Sequence, residues 1–207
     1  MSPIRLAVLV SGGGTTLQNF IDRIAAGEMD ARIAAVVASR PGIYAIERAA
    51  KAALPVVVID RRNYSDVNAF SAAVFRACDE ARTDLVCLAG WLNLLALPQR
   101  YQGRAMNIHP ALLPSFGGKG MYGRHVHEAV LAHGCKVSGC TVHFLDEHYD
   151  NGPIIVQRAC PVLEDDTPET LAQRVFEEEK IAYPHAIRLY QQNRLRIEGR
   201  RVRILPG

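Results

Sequence analysis

Apolar residues along this chain fall into two patterns that take turns. Short unbroken apolar runs alternate with longer stretches where apolar side chains recur every three or four positions. Residues 5–11 are such a run, and beyond a cluster of glycines Leu17, Phe20, Ile21 and Ile24 recur at helical spacing. The pattern predicts strand 5–11, helix 16–26, strand 32–39, helix 43–53, strand 55–59, helix 66–82 and strand 85–89. In helix 66–82, Val67, Phe70, Val74 and Cys78 form one face. Continuous apolar strands alternating with helices predict a parallel sheet with helices on both faces.

The second half reads differently. A strand at 105–109 precedes a glycine-rich loop at 115–124 and a short helix from about 125. A strand pair at 137–144 and 153–160 follows. A long helix starts at Thr167-Pro168, with Thr as cap and Pro in the first turn. Near the end, Arg194, Arg196, Arg200, Arg201 and Arg203 alternate with Leu195, Ile197, Val202 and Ile204 around Glu198-Gly199. That alternation predicts a terminal β-hairpin with a solvated arginine face rather than an RNA-binding arm. No repeat or low-complexity linker marks a second domain. The expected fold is α/β: one Rossmann-like domain over 1–207 with a mostly parallel sheet and a mixed C-terminal half.

Composition narrows the function classes. At 207 residues and 49% hydrophobic, the chain can bury a substantial core. Its formal charge is +3, and no long basic block precedes the C-terminal arginines, so nucleic-acid binding is not expected. The N-terminal apolar run is too short for a signal peptide, and no run approaches membrane-spanning length. The five cysteines (78, 87, 135, 140 and 160) lack C-x-x-C spacing and sit mostly in apolar runs. Buried free thiols in a reducing cytosol are expected, and with them a cytoplasmic protein. His125-x-His127 lacks carboxylate or cysteine partners at ligand spacing, so no metal is expected.

Three segments carry candidate chemistry. In strand 105–109, alternation puts Asn107 and His109 on one face, and Pro110 stops the strand from running on. An amide donor beside an imidazole at a strand end is a common arrangement for chemistry, although a buried Asn and His satisfying backbone groups is the plain alternative. Downstream, Asp150 stands before the turn dipeptide Asn151-Gly152, in an acidic loop between two strands. A carboxylate there can orient an imidazole and favour its charged form. At the N-terminus, Ser11-Gly12-Gly13-Gly14-Thr15-Thr16 joins a strand to a helix. Free N–H groups and the positive helix end suit an anion, and one of Thr15 or Thr16 is expected to cap the helix. No Gly-Lys-Ser/Thr follows, and Leu17 fills the third glycine position of a dinucleotide fingerprint. One phosphate monoester fits better than a pyrophosphate.

Read together, five segments occur in a recognisable order: Ser-Gly-Gly-Gly-Thr-Thr-Leu-Gln (11–18), Leu-Ala-Gly-Trp-Leu-Asn-Leu-Leu (88–95), Met-Asn-Ile-His-Pro-Ala-Leu-Leu-Pro (106–114), Gly-Cys-Thr-Val-His-Phe (139–144) and Asp-Asn-Gly-Pro-Ile-Ile-Val-Gln (150–157). Over nearly its whole length the chain resembles the phosphoribosylglycinamide formyltransferases of purine biosynthesis. The resemblance implies formyl transfer from 10-formyltetrahydrofolate, as a co-substrate, to the amine of glycinamide ribonucleotide. It implies Asn107, His109 and Asp150 as catalytic residues. It puts Gly13, Gly14, Thr15 and Thr16 on the ribonucleotide phosphate, with Pro110, Gly123 and Glu179 also against that substrate. It assigns the reduced folate to Leu92, Asn93, Leu94 and Leu95, to Asn107 and Val142, and to the loop of Asp146, Glu147, His148, Tyr149 and Asp150. Residues 1–100 would then be a phosphate-binding half and 101–207 a catalytic and folate-loop half.

Some positions depart from the family. Asn93 stands where many relatives carry Arg. Residues 117–123 read as a local insertion, although Gly123 and His125 still match. No arginine matches one that contacts folate in some relatives, since Arg61 and Arg62 are out of register. Rival readings are a formyltetrahydrofolate hydrolase, a formyltransferase for another amine such as a tRNA or an amino sugar, and a non-catalytic phosphate-ligand sensor. The first two usually carry an extra domain. The third has no need of Asn107, His109 and Asp150 together. The sequence leaves the oligomeric state open, a homodimer included.

Overall fold

The structure is a computed structural model describing residues 2–207. The chain forms two compact units, one up to Met106 and one from Asn107 onward. In the first unit the strands are β1 (Ile4–Val10), β2 (Ala31–Ala38), β3 (Val56–Val58) and β4 (Leu85–Leu88), and the helices are α1 (Thr15–Ala25), α2 (Tyr44–Lys51) and α3 (Val67–Glu80). All strand pairs here are parallel, in the order β3-β2-β1-β4. The reason lies in the sequence. β1 and β4 are almost wholly apolar and buried along their length, as a strand covered on both faces must be. Helix α3 buries Phe70, Val74, Phe75 and Cys78, and its first turn is held by Asp66, whose side chain accepts from the Ala69 N–H at 2.8 Å.

β5 (Ala105–His109) runs from the first unit into the second. The second unit continues with α4 (Arg124–Ala132), β6 (Val137–Phe144), β7 (Ile154–Pro161), α5 (Pro168–Gln191), β8 (Leu195–Glu198) and β9 (Arg201–Ile204). β6 and β7 are antiparallel from Val137↔Pro161 to His143↔Ile154, β7 meets β9 in parallel, and β8–β9 is the expected hairpin, turning at Gly199. Parallel strands in the first unit and mixed strands in the second give the expected α/β class. Thr167 caps α5 as its position suggested, and Thr170 completes a reciprocal capping box. Fully buried Leu6, Leu9, Phe20, Phe75, Leu171 and Tyr183 anchor the two cores, each contributing on the order of 2 kcal/mol. All five cysteines are free; burial pushes the Cys78 and Cys140 thiols up to about 12, so they are inert packing groups.

Candidate active site

At the C-terminal edge of the parallel strands, β1 opens into the glycine loop. Ser11 is buried there and works as a fastener. Its hydroxyl accepts from the Leu92 N–H at 3.1 Å and meets the Ser39 hydroxyl at 2.8 Å. The loops that follow β1, β2 and β4 are thereby tied together, on the side of a parallel sheet where ligands bind. Neither threonine caps α1, contrary to the expectation. The cap position is Gly14, in the left-handed conformation at φ 71°, with no side-chain hydrogen bond. The left-handed turn leaves the first N–H groups of the helix without a capping side chain, which suits an anion. Thr15 is exposed and Thr16 is buried. Gly14 is a glycine for two reasons: its φ, and Ala45 of α2, whose Cβ would lie 2.7 Å from an added Cβ. At Gly12 and Gly13 an added Cβ would meet nothing within 4 Å, so the free space of the loop is there.

Beside this loop lies a cleft of about 400 Å³, lined by Ser11, Ser39 and a charged group of Arg40, Asp60, Arg61 and Arg62, with Leu92 and Asn93. Asp60 is engaged by Arg62, at 2.7 Å, which holds its carboxyl down at about 2. Arg61 stacks over Phe70 and donates to the Tyr64 carbonyl. Phe70 in turn stacks on Trp91. Of the expected folate segment, Leu92 is 43% exposed, Asn93 and Leu94 are half-buried, and Leu95 is buried.

The second unit holds the expected catalytic trio, and the structure brings all three together. Asn107 Nδ2 donates to Asp150 Oδ1 at 3.3 Å and to His143 Nε2 at 3.2 Å. His109 Nδ1 lies 3.4 Å from Asp150 Oδ2. His143 was not among the expected site residues, although a histidine between Val142 and Phe144 in a strand is a usable signal. Its Nδ1 faces the Phe144 carbonyl at 2.8 Å, which can only accept. Neutral His143 therefore carries its hydrogen on Nδ1, and Nε2 is left to accept from Asn107. The 3.7 Å separation of His143 Nε2 from Asp150 is too long for a hydrogen bond.

His109 is almost fully buried, and its Nε2 faces the Phe116 carbonyl at 2.8 Å. The Gly118 N–H donates to Asp150 Oδ2 at 2.9 Å. One loop thus satisfies both titratable groups. Gly117 fits between, where a Cβ would lie 3.3 Å from that of Asp150. Burial lowers the His109 pKa from 6.5, and the Asp150 charge opposes that shift. Burial pushes Asp150 up, but charge on the neighbouring imidazoles and the Gly118 N–H together outweigh it and leave its carboxyl below 3.8. An ionised acceptor beside an imidazole is the resting state this geometry favours.

The chain around the trio is held in place by polar groups. Thr141, fully buried, donates to the Ala111 carbonyl and accepts from the Leu113 N–H, fixing the turn after Pro110. Asp150 has φ 52°, and Gly152 packs so tightly that a Cβ there would sit 1.8 Å from the Phe144 carbonyl oxygen. Asp146 folds its own loop by accepting from the His148 N–H and the Asn151 amide, while Glu147, His148 and Tyr149 are exposed. Val142 is fully buried, and its side chain belongs to the core. Gly123 starts α4. His125 is exposed beside Glu128, whereas His127 is buried and its Nδ1 lacks a partner. Glu179 of α5 keeps partial exposure, yet its carboxyl is enclosed enough that desolvation lifts it to about 7. Among the described residues no cluster of three or more His, Cys, Asp or Glu is placed to hold a metal, and no helix is long and apolar enough to cross a membrane.

Residues 4–187 match the family model described as formyl transferase. The chain belongs to the formyl transferase family. A glycinamide ribonucleotide transformylase 1 from Symbiobacterium toebii is similar in structure, with a TM-score of 0.92 and 44% identity, covering 99% of this chain and 95% of that one. The chloroplastic phosphoribosylglycinamide formyltransferase of Arabidopsis thaliana is 37% identical over 93% of this chain and 67% of its own length. The trifunctional purine biosynthetic protein adenosine-3 of Drosophila melanogaster is 41% identical over 88% of this chain. The chain spans only 14% of that relative's length.

Proposed function

We propose that this protein transfers the formyl group of 10-formyltetrahydrofolate to the amine of 5-phosphoribosylglycinamide, in the cytoplasm and as a step of purine synthesis. The observation that carries this reading is the meeting of Asn107, His109 and Asp150 around one ionised carboxylate. The amine lone pair attacks the formyl carbon, and charge gathers on the formyl oxygen. The bond from that carbon to the folate N10 then breaks; N10 takes up a proton and the attacking nitrogen gives one up. The Asn107 amide and the His109 imidazolium donate to the oxygen as charge develops, and Asp150 stabilises the imidazolium from its other side. His109 Nε2 becomes free to do so once the Phe116 carbonyl yields it.

In this reading the 13–16 loop holds the ribonucleotide phosphate as a remote handle, and Pro110, Gly123 and Glu179 contact the same substrate. The 92–95 segment and the 146–150 loop bind the reduced folate. Arg40, Arg61 and Arg62 of the cleft offer charge to the folate's carboxylates. The two units act as one formyltransferase domain. The family model, which runs through both, supports this.

The testing experiment incubates 10-formyltetrahydrofolate with enzyme, with and without the ribonucleotide. Formyl loss should depend on the ribonucleotide. Equal rates in both tubes would make water the acceptor and the protein a hydrolase.

A further inference from the structure

Helix α2 is built against the glycine loop. The Ala45 N–H donates to the Gly12 carbonyl at 3.1 Å, and the missing side chain of Gly14 admits Ala45. Arg48, one turn further on, reaches back over the loop. Its Nε donates to the Gly13 carbonyl at 2.8 Å and its Nη1 to Gln18 Oε1 at 3.0 Å. Gln18 passes the contact on, donating to Asp22 at 2.8 Å. Tyr44, four residues before Arg48 and 47% exposed, lies beneath the guanidinium, 4.7 Å from ring centroid to carbon. No carboxylate among the described residues pairs with Arg48.

We infer that Arg48 is a positioning residue for the acceptor's phosphate. A loop that binds an anion must present N–H groups to it and keep carbonyl oxygens, which repel it, turned elsewhere. The Gly13 carbonyl belongs to an exposed residue of this loop, and the donor that fixes its direction, Arg48, comes from outside the loop. The Arg48 fork does this while bonding the first turn of α1 through Gln18, so one side chain sets the loop's orientation relative to the helix end. Its unpaired charge adds to the field at the loop. The inference rests on the reading that the 13–16 loop takes the substrate phosphate.

The test compares two acceptors, glycinamide ribonucleotide and the riboside that lacks its phosphate, with wild-type enzyme, Arg48→Met and Arg48→Lys. Wild type should favour the phosphorylated acceptor in kcat/KM. In Arg48→Met this preference should fall by about 10-fold, the size expected for a lost charge-assisted hydrogen bond. The loss should lie in KM for the ribonucleotide, with the KM for folate and the melting temperature unchanged. Arg48→Lys should recover only part, since an ammonium lacks the planar fork. If wild type does not distinguish the acceptors, the phosphate reading of the loop is wrong, whatever Arg48 does. If wild type distinguishes them and Arg48→Met weakens both equally, Arg48 is merely structural. Full recovery by Lys would leave charge alone and overturn positioning.

Discussion

The glycine loop after β1 and the loop at 116–118 are both glycine-rich and both lie against a candidate site, yet they stand in opposite states. The first is open: no side chain caps α1, Gly13 is exposed, and its bracing comes from outside, through α2. The second is closed on itself, with the Phe116 carbonyl on His109 and the Gly118 N–H on Asp150. The difference follows from burial. Backbone N–H groups at the surface are satisfied by water until an anion replaces it. A buried imidazole and carboxylate have no water and must find protein partners, because an unsatisfied buried polar group costs about 1–3 kcal/mol. If the proposed roles hold, the binding loop waits open, whereas the proton-transfer site waits occupied and must be uncovered by the reaction's own ligands.

The largest expected effect tests the occupied site. His109→Ala and Asp150→Asn should each lower kcat by at least ~100-fold with the fold intact, since each removes proton transfer or charge stabilisation from the transition state. Steady-state rates with melting curves on the same samples decide it. A folded His109→Ala enzyme with near-normal kcat would remove His109 from the chemistry, and the closed loop would then be only packing.

The open loop is tested by its neighbouring glycines, with a smaller effect. Filling Gly14 with a bulky residue such as Val would not put a side chain in the anion's space. The structure directs that side chain into Ala45 instead. Gly14→Ala should therefore lower stability, by ~1–2 kcal/mol for the left-handed φ alone. Gly13 has open space and no left-handed φ. Gly13→Ala should leave the melting temperature nearly unchanged and raise the KM for the ribonucleotide by roughly 10-fold, because a methyl enters the anion's space. Equal destabilisation by both would erase the distinction between the braced and open sides of the loop.

The same two loops mark what a reader of the sequence could see. Strand and helix positions were legible because apolar period and turn residues agree, as at Thr167-Pro168 and around Glu198-Gly199. Asn107, His109 and Asp150 were legible as a set because alternation and a turn dipeptide constrain each locally. The cap of α1 was misread, since Thr15 and Thr16 suit capping by type and only the left-handed turn at Gly14 removes them. Arg48 and His143 lie 35 and 36 residues from the partners they serve. Local sequence can flag His143 as a polar residue within a strand, but it names neither residue's partner. The groups on His109 Nε2 and Asp150 are backbone atoms of Phe116 and Gly118, which carry no side-chain signature. The enclosure of Glu179 comes from tertiary packing, which the local sequence does not report.

The smallest expected effect concerns proton affinity within the closed site. Burial opposes the His109 charge most, and three groups face it: Asp150 and the Phe116 carbonyl favour it, and His143 opposes it. His127 feels His109 in turn, and its own pKa is lowered by burial and by that charge. His109 should titrate below 6.5 in a histidine-resolved NMR titration. Asp150→Asn removes the favourable charge and should move the midpoint lower still. Below 6.5 the unfolded chain binds a proton that native His109 does not, so stability falls as pH drops from 6.5 towards the native midpoint. Asp150 behaves as a depressed carboxylate: its contribution is present above 3.8 and is lost as pH falls further, through its native value. In Asp150→Asn the second loss should vanish, while the first, beginning at the same 6.5, should extend to lower pH. A His109 midpoint that stays put or rises in Asp150→Asn would mean that the 3.4 Å approach of Nδ1 to Oδ2 carries no electrostatic coupling. Asp150 could then not stabilise the imidazolium that the closed loop must release.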